Sequence, residues 1–330
     1  MKNGVFLVTA VFAVIGLSFS CSGDENPDDT DLYAERMQAF VKEISDYAKA
    51  KKPDFIIIPQ NGSELIYNHT DPGEGIRDSY VNAIDGMGIE ELFYDSDGNK
   101  ISANDEDQKE RLAALRKIRA SPYNKTIMVS DYAPDSGKID NSVAWNKDEN
   151  FISFPRSADN FEYEYIPDSD PAFKNTDDIT ALNKARNYLC LIGADVSGSK
   201  TVYLSKIKET DYDVVLIDLF HDDAALTEND VDDLRTKHGG GTRLVIAYIN
   251  IGALETFRYY WTETLNETLP SWAKKEYDGW PGEYWAEFWN QEWKDIIFGK
   301  TNSYMDRIIE AGFDGAYLDN VEAYYFLLND

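Results

Sequence analysis

The chain has 330 residues, with 60 acidic side chains against 32 lysines and arginines, so its formal net charge is 32 − 60 = −28. This charge excludes a protein that grips nucleic-acid phosphates, and it argues against docking to an anionic membrane through a basic patch. Hydrophobic residues make up 43% of the chain and aromatic residues 13%, which is typical of a folded protein. The length allows one large domain or two ordinary ones.

The first 20 residues predict a secretory signal peptide, because Lys2 precedes an apolar run that ends in small residues. Cys21 follows directly, as in bacterial lipoprotein signals, so we expect it to be lipidated. An ordinary signal peptide with an incidental cysteine is the alternative, since Phe19 fits the lipoprotein pattern imperfectly. Residues 21–30 are acidic and predict a flexible linker. The protein is therefore expected in the bacterial cell envelope, lipid-anchored to the outer membrane on its surface or periplasmic side.

Residues 31–330 show strands that alternate with helices and predict a single domain. Short continuous apolar runs are typical of buried parallel strands, and Cys190 lies inside one of them, so we expect it to be buried. This alternation favours a (β/α)8 TIM barrel. A doubly wound open sheet is the alternative, although no glycine-rich phosphate loop follows a strand. The predicted strands are 55–59, 88–94, 126–130, 151–154, 187–192, 214–217, 244–249, 284–288 and 315–318, and the predicted helices are 32–50, 105–120, 199–209, 227–238 and 291–311.

Acidic and amide side chains follow several predicted strands at their C-terminal ends, where barrel enzymes carry their chemistry. One such acid is often only a helix cap, but several on different strands predict a shared cleft. The sequence contains no zinc-binding histidine pair and no nucleophile elbow, so we predict neither a metal nor another cofactor. The strand-end residues are Gln60, Asn61, Glu90, Asp131, Tyr132, Asp218, Asn250, Glu255, Asp319 and Asn320.

Aromatic residues crowd the region after the strand at 244–249. Trp280 and Trp285 lie in the Gly- and Pro-rich segment 279–285, which predicts a rim loop with exposed rings. Flat apolar rings beside carboxylates suit a sugar ring, which stacks through its C–H face and forms hydrogen bonds through its hydroxyls. Paired carboxylates hydrolyse glycosides: one acid protonates the leaving oxygen, and the other attacks the anomeric carbon or activates water.

Four motifs of the C-terminal half resemble glycoside hydrolase family 114, the endo-α-1,4-polygalactosaminidase-like barrels. They are YINIGALETFRYYW at 248–261, VLID at 215–218, WPGEYW at 280–285 and GFDGAYLDN at 312–320. The resemblance covers most of residues 185–325. Segments 57–62, 88–94 and 128–132 resemble family segments that come after the LDN strand in that family. We therefore predict a circularly permuted barrel, with strands six to eight in residues 55–131 and strands one to five in residues 187–320.

The resemblance implies endo-acting hydrolysis of an amino-sugar polysaccharide like α-1,4-galactosaminan, which is cationic where it is not acetylated and suits a negatively charged protein. It implies Asp218 and Glu283 as the catalytic pair, with Glu255 and Asp319 as the next candidates. Ala253 stands where the family often has a glutamate, so a non-catalytic glycan-binding lipoprotein is the alternative, and a structural lipoprotein without a ligand is a third hypothesis. We expect a monomer that binds a polysaccharide or oligosaccharide and no nucleic acid. The expected substrate contacts are Asn61, Glu90, Asp131, Tyr132, Tyr248, Arg258, Trp280, Trp285 and Asn320.

Overall fold

The computed structural model describes residues 27–157, 163–193, 198–222 and 224–329. The predicted signal peptide, Cys21 and residues 22–26 lie outside the described residues. The first helix begins at Pro27, earlier than predicted, so residues 27–30 of the predicted linker are helical. Among the helices that the structure describes, none is both long enough and apolar enough to cross a membrane.

Helices and strands alternate along the described chain, as the sequence predicts. The α-helices are α1 (Pro27–Lys51), α2 (Asp78–Val81), α3 (Glu106–Arg119), α4 (Ser136–Asp148), α5 (Lys200–Lys208), α6 (Glu228–Leu234), α7 (Tyr259–Glu263), α8 (Gln291–Ile297), α9 (Tyr304–Glu310) and α10 (Ala323–Phe326). The strands are β1 (Ile56–Pro59), β2 (Gly86–Glu90), β3 (Thr126–Ser130), β4 (Ile152–Ser153), β5 (Tyr188–Leu191), β6 (Val214–Asp218), β7 (Phe220–His221), β8 (Ala224–Ala225), β9 (Leu244–Asn250), β10 (Ala253–Glu255), β11 (Ala273–Glu276), β12 (Glu283–Ala286) and β13 (Gly315–Asp319).

Eight of these strands run parallel in two sheets. One sheet has the order β1-β13-β9-β6-β5 and the other the order β2-β3-β4. A single parallel bridge between Gln60 and Gly88 connects β1 to β2, and β1 lies beside β13, so the first strand of the chain neighbours the last. No ladder joins β4 to β5 within the described residues. The mixed α/β class with parallel sheets is therefore confirmed, and the closed barrel stays a prediction.

Helix α1 packs between the N-terminal and C-terminal parts of the chain. Its fully buried face follows helical spacing and consists of Met37, Phe40, Val41, Ile44 and Ala48. The Phe40 ring lies 6.0 Å from the Phe288 ring, measured between centroids. On the other side, Gln38 Nε2 donates to the carbonyl oxygen of Leu65 at 2.7 Å. Helix α1 also contacts α10 near the C-terminus, which is the neighbourhood that the predicted permutation requires.

Several predicted boundaries are wrong. Strand β2 ends at Glu90 instead of residue 94, because Glu91 adopts a φ of 53° and leaves the extended conformation. Segment 284–288 overlaps β12, but this strand is antiparallel to β10 and β11 in a separate sheet. The predicted helix 291–311 is divided into α8 and α9, with Gly299 at a φ of 93° between them. Helix α4 was not predicted, because its polar sequence shows little apolar periodicity.

Gly88 brings strand β2 close to strand β13. The Tyr317 hydroxyl occupies the space where a Cβ on Gly88 would lie. Asp319 follows Tyr317 by two residues, and Glu90 follows Gly88 by two residues. Side chains two residues apart lie on the same face of a strand. Asp319 and Glu90 therefore project from the face on which Tyr317 meets Gly88, one layer nearer to the C-terminal edge.

The substitution Gly88→Ala is expected to lower the free energy of unfolding by about 1–3 kcal/mol, because the new methyl group forces the Tyr317 ring to move. Urea denaturation followed by circular dichroism measures this change. Gly137→Ala is the control, since its Cβ would meet only the Asp135 carboxylate at 3.3 Å near the start of α4. Equal stabilities of the two variants would contradict the close packing of β2 against β13.

Candidate active site

A cleft of about 1320 Å³ opens at the C-terminal ends of the parallel strands. Its walls combine strand-end acids with aromatic rings, and among the described residues that line it, Arg258 is the one basic side chain. Ten acidic residues take part: Glu90, Glu91, Glu164, Asp218, Asp222, Glu255, Glu263, Glu283, Asp319 and Glu322. The predicted convergence of strand-end acids in one cleft agrees with this geometry.

Arg258 joins two of the predicted catalytic acids in a buried cluster. Its Nη1 lies 2.7 Å from Asp218 Oδ2, and its Nε lies 2.8 Å from Glu255 Oε2. The other oxygen of Asp218 accepts a hydrogen bond from the backbone N–H of Phe220 at 2.7 Å. The three charged side chains are each less than a tenth exposed. Because both carboxylates already have a cationic partner, this cluster is built to hold the cleft wall in place.

Glu283 lies opposite Glu255 in the antiparallel pair of β12 and β10. Its carboxylate accepts a hydrogen bond from Asn250 Nδ2 at 3.3 Å and has no cationic partner within the described residues. Burial first, and then the charges of Glu255 and Asp319, raise the pKa of Glu283 to about 9. Glu283 therefore carries a proton at neutral pH, which a general acid requires.

Asp319 is the last residue of β13. Its Oδ2 accepts a hydrogen bond from the Tyr248 hydroxyl at 2.5 Å, and its Oδ1 accepts one from the backbone N–H of Asn320 at 2.7 Å. Burial first, and then the charge of Glu90, raise the pKa of Asp319 to about 7. Among the described residues the carboxyl group is thus held by neutral donors alone, and its pKa near 7 allows it to take up or give up a proton at neutral pH.

Glu90 is the last residue of β2 and is likewise held by neutral donors. Its Oε1 accepts a hydrogen bond from the Tyr163 hydroxyl at 2.5 Å, and its Oε2 lies 3.4 Å from Asn61 Nδ2. Strands β13 and β2 both neighbour β1 and are therefore alternate strands, and the inward side chains of alternate strands share a layer in barrel-like sheets. Glu90 and Asp319 both line the cleft, and the charge of Glu90 contributes to the raised pKa of Asp319.

Three predicted substrate contacts are absent from the cleft wall. Asp131 is fully buried, and its Oδ1 accepts hydrogen bonds from the backbone N–H groups of residues 92–94 at 2.8–3.2 Å, which is a structural capping role. The Tyr132 ring packs against the Arg156 guanidinium, whose Cζ lies 5.5 Å from the ring centroid. Trp285 is only 3% exposed and stacks on Phe326 at 4.7 Å. Since Trp285 belongs to β12, the prediction that 279–285 is wholly a rim loop with exposed rings is wrong.

The remaining predicted contacts do line the cleft. Trp280 is half-buried, and its ring centroid lies 6.4 Å from that of Tyr277. Phe257 is 59% exposed, which leaves a ring face open to solvent. The other predicted residues in the wall are Asn61, Glu90, Tyr248, Arg258 and Asn320. Sequence reasoning missed Tyr163, Tyr277 and Glu322, because none of the three stands at the end of a predicted strand.

Four acids of this region are expected to make the protein less stable as the pH rises. Burial is the main cause that raises the pKa of Glu91 and Asp319 to about 7, of Glu322 to about 8 and of Glu283 to about 9. The unfolded chain loses these protons near pH 4. Between about pH 5 and pH 9 the folded state therefore binds more protons, so the free energy of unfolding decreases as the pH increases.

Thermal unfolding followed by circular dichroism tests this expectation: Tm should be higher at pH 5.5 than at pH 9. The Glu283→Gln variant should show a smaller difference, because the titrating group is gone. A Tm that increases from pH 5.5 to pH 9 would contradict the raised pKa values.

No group of three or more His, Cys, Asp or Glu side chains in the described part of the chain has a geometry that could hold a metal ion. The carboxyl groups of the cleft can themselves transfer protons and act as nucleophiles, next to rings that suit a sugar.

The C-terminal half of the chain matches a known protein family. Residues 169–330 match the model of glycoside-hydrolase family GH114. An uncharacterized protein of Thermotoga maritima is 33% identical over 121 residues, which are 37% of this chain and 36% of the relative. Uncharacterized proteins of Methanocaldococcus jannaschii and Deinococcus radiodurans are each 31% identical, over 46% and 40% of this chain and 42% and 40% of the relatives. The chain thus matches less than half the length of each of these relatives.

Proposed function

Since residues 169–330 belong to glycoside-hydrolase family GH114, we propose that the chain is a glycoside hydrolase that cuts within an amino-sugar polysaccharide. The observation that carries this proposal is the cleft that Asp319 and Glu90 both line, each held by neutral hydrogen-bond donors. Such a pair can deliver a proton to the leaving oxygen and attack the anomeric carbon, or activate water to do so.

The four predicted catalytic acids take different roles in this proposal. Asp319 performs the chemistry together with Glu90, which the sequence predicted as a substrate contact. Glu283 is the second candidate for the proton donor, because its pKa of about 9 keeps it protonated at neutral pH. Asp218 and Glu255 position the wall through Arg258, since both carboxylates are already occupied by the guanidinium. Asp218 is thereby moved from the predicted catalytic pair to a positioning role.

The charge of the cleft supports a cationic substrate. Among the described residues ten acids and one arginine line the wall, so the wall is negative overall even with Glu283 and Glu322 protonated at neutral pH. Electrostatic focusing in such a cleft raises the local concentration of a polymer of opposite charge. An α-1,4-linked galactosamine polymer with free amino groups has that charge. The Trp280 and Phe257 rings offer stacking surfaces for the apolar faces of its sugars.

Digestion of defined polymers tests the proposal. The wild type is expected to release oligosaccharides from α-1,4-galactosaminan, measured by chromatography and mass spectrometry, and to leave neutral α-1,4-glucan intact. Endo-action predicts a mixture of sizes at early times instead of a single small product. Release of nothing from any amino-sugar polymer would overturn the proposal.

A non-catalytic glycan-binding protein is the second candidate. The observations in its favour are Ala253 at a position where the family often has an acid, and the occupation of Asp218 and Glu255 by Arg258. Binding of the galactosamine polymer, measured by calorimetry, would favour this candidate if the polymer also stays uncleaved over many hours.

The proposed location is the cell envelope, with a lipid on Cys21. Labelled fatty acid should enter the full-length protein in its bacterial host and should not enter a Cys21→Ser variant. Equal labelling of both proteins would exclude Cys21 as the lipidated residue.

We also propose the closed, circularly permuted (β/α)8 barrel. Three observations support it: β1 pairs with β13, α1 contacts α10, and the family match begins at residue 169, shortly before β5. In this proposal the eight strands are β5, β6, β9 and β13 in residues 187–320 and β1, β2, β3 and β4 in residues 55–153. Four parallel strands and not the predicted five lie in residues 187–320, because β12 belongs to the antiparallel sheet.

A re-permuted chain is expected to fold. Residue 329 would be joined to residue 31 by a short flexible linker, and new termini would be opened between residues 167 and 178, before β5. Surface loops tolerate new termini when neighbouring elements keep their contacts. The variant should retain a cooperative thermal transition and the activity of the wild type. A matched variant opened inside β9 should fail to fold, and failure of both variants would contradict the permutation.

A further inference from the structure

Glu322 lines the cleft three residues after Asp319, and its carboxylate has no hydrogen-bond donor and no ion-pair partner within the described residues. Other acids of the cleft are occupied: Glu91 is bound by Arg156 at 2.8 Å, and Glu263 is bound by Arg307 at 2.6 Å. The Glu322 side chain is half-buried and remains accessible from the cleft. A carboxylate in such a place gains from a cation that enters with the substrate.

An aromatic ring lies near the same position. Tyr277 lines the cleft, and its ring centroid lies 6.4 Å from that of Phe326 in α10, the helix that Glu322 precedes. After burial, the charges of Asp319, Glu322 and Glu90 raise the pKa of Tyr277. A ring face beside a carboxylate is a common arrangement for an ammonium group, since both attract the cation. The ring and the acid thus line the same cleft as Asp319.

Four charged residues from different parts of the chain influence the pKa of Glu322. Glu64, Glu90 and Asp319 raise its pKa, Arg111 lowers it, and burial is the largest cause of the shift to about 8. These surroundings therefore favour the protonated form of Glu322 at neutral pH. A bound ammonium group would favour the ionised form, so binding should release a proton into the solvent.

We propose that Glu322, together with the Tyr277 ring, binds the free ammonium group of a sugar unit next to the bond that is cut, and so selects unacetylated units. This inference rests on the proposed glycoside hydrolase function and deepens it, because it assigns the recognition of the amino group to one residue. An acetyl group removes the positive charge and adds bulk at this carboxylate, so N-acetylated units bind there less well.

The test compares wild type, Glu322→Gln and Glu263→Gln. Glu263→Gln makes the same side-chain exchange in the same cleft, at a carboxylate that already has Arg307 as its partner. For each protein, kcat and KM are measured on α-1,4-galactosamine oligosaccharides with free and with N-acetylated amino groups. Wild type and Glu263→Gln are expected to prefer the free amine. Glu322→Gln should lose about tenfold of that preference, mainly through KM. An unchanged preference in Glu322→Gln would overturn the inference.

A binding measurement separates failure of this inference from failure of the proposed function. Galactosamine and N-acetylgalactosamine are monosaccharides without a glycosidic bond, so chemical-shift titration with them needs no catalysis. Binding of galactosamine that depends on Glu322, without cleavage of any polymer, would support the inference and overturn the hydrolase. Cleavage of both polymer forms at equal rates would overturn the inference and leave the hydrolase standing. If Glu322→Gln does not fold, Glu322→Asp provides the second variant, because its shorter side chain keeps the carboxyl group but places it farther from the substrate.

Calorimetry in buffers of different ionisation enthalpy gives an independent readout. The wild type at pH 7 should release protons when galactosamine binds, and Glu322→Gln should release fewer. Equal proton release by the two proteins would contradict the role of Glu322.

Discussion

Replacing Asp319 with Asn is expected to lower kcat on a galactosamine polymer by about 10³-fold or more, and replacing Glu90 with Gln is expected to have an effect of similar size. Each change removes a group that either donates the proton or forms the bond to the anomeric carbon. The exchanges keep the size of the side chains, so KM and the thermal transition should change little. Measurement of initial rates by reducing-end release checks the prediction.

Glu283→Gln separates the two candidate proton donors. If Glu90 is the donor, Glu283→Gln should reduce kcat much less than Glu90→Gln does, because Glu283 then takes no part in the proton transfer. Added azide identifies the roles further. In a variant that lacks the nucleophile, azide takes its place and attacks the anomeric carbon directly, whereas in a variant that lacks the acid/base, azide attacks the glycosyl-enzyme intermediate. The two routes give glycosyl azides of opposite anomeric configuration. Full activity of Asp319→Asn would remove Asp319 from the mechanism.

Replacing Arg258 with Met is expected to lower the free energy of unfolding by about 3–5 kcal/mol at pH 7, because it leaves two buried carboxylates without their cation. Asp218 and Glu255 lie 2.7 and 2.8 Å from the guanidinium, and their side chains are 8% and 4% exposed. Activity should decrease as well, since the loop that carries Arg258 forms part of the cleft wall. Urea denaturation measures the change in stability.

The triple variant Arg258→Met, Asp218→Asn, Glu255→Gln is the matched control. It removes the buried negative charges together with the positive one, so part of the lost stability should return. The Arg258→Lys variant should give an intermediate result, because lysine keeps the charge but cannot reach both carboxylates with a planar fork. If Arg258→Met lowers the free energy of unfolding by less than about 1 kcal/mol, the stabilising role of the buried cluster of Arg258, Asp218 and Glu255 is contradicted. A change of that size is typical of exposed ion pairs.

The sequence predicted much of the fold because buried parallel strands carry a strong local signal. The apolar runs at β1, β6 and β9 are fully buried, as such runs in parallel sheets are expected to be. The boundaries failed where backbone conformation departed from the pattern, as at Glu91 with its positive φ. Helix α4 escaped prediction because few of its side chains reach the core, so its sequence has little periodicity.

The sequence predicted many of the residues that line the candidate site, but it did not predict the role of each one. Strand ends in parallel sheets meet at one edge, so the sequence pattern alone was enough to group Asp218, Asp319 and Glu90. Their partners could not be predicted in this way. Asp131 has the same sequence setting as these acids, yet backbone N–H groups and Ser142 surround it.

The sequence by itself determined the mixed α/β class, the resemblance to the glycoside hydrolase family and the collection of acids, because these depend on local pattern and residue identity. The tertiary structure decided which of these acids are free. Arg258 lies 40 residues from Asp218 in the chain and Tyr163 lies 73 residues from Glu90, and only folding brings each pair into contact. Charge, burial and hydrogen bonding act through space, so the division between positioning and candidate catalytic carboxylates follows from the three-dimensional arrangement.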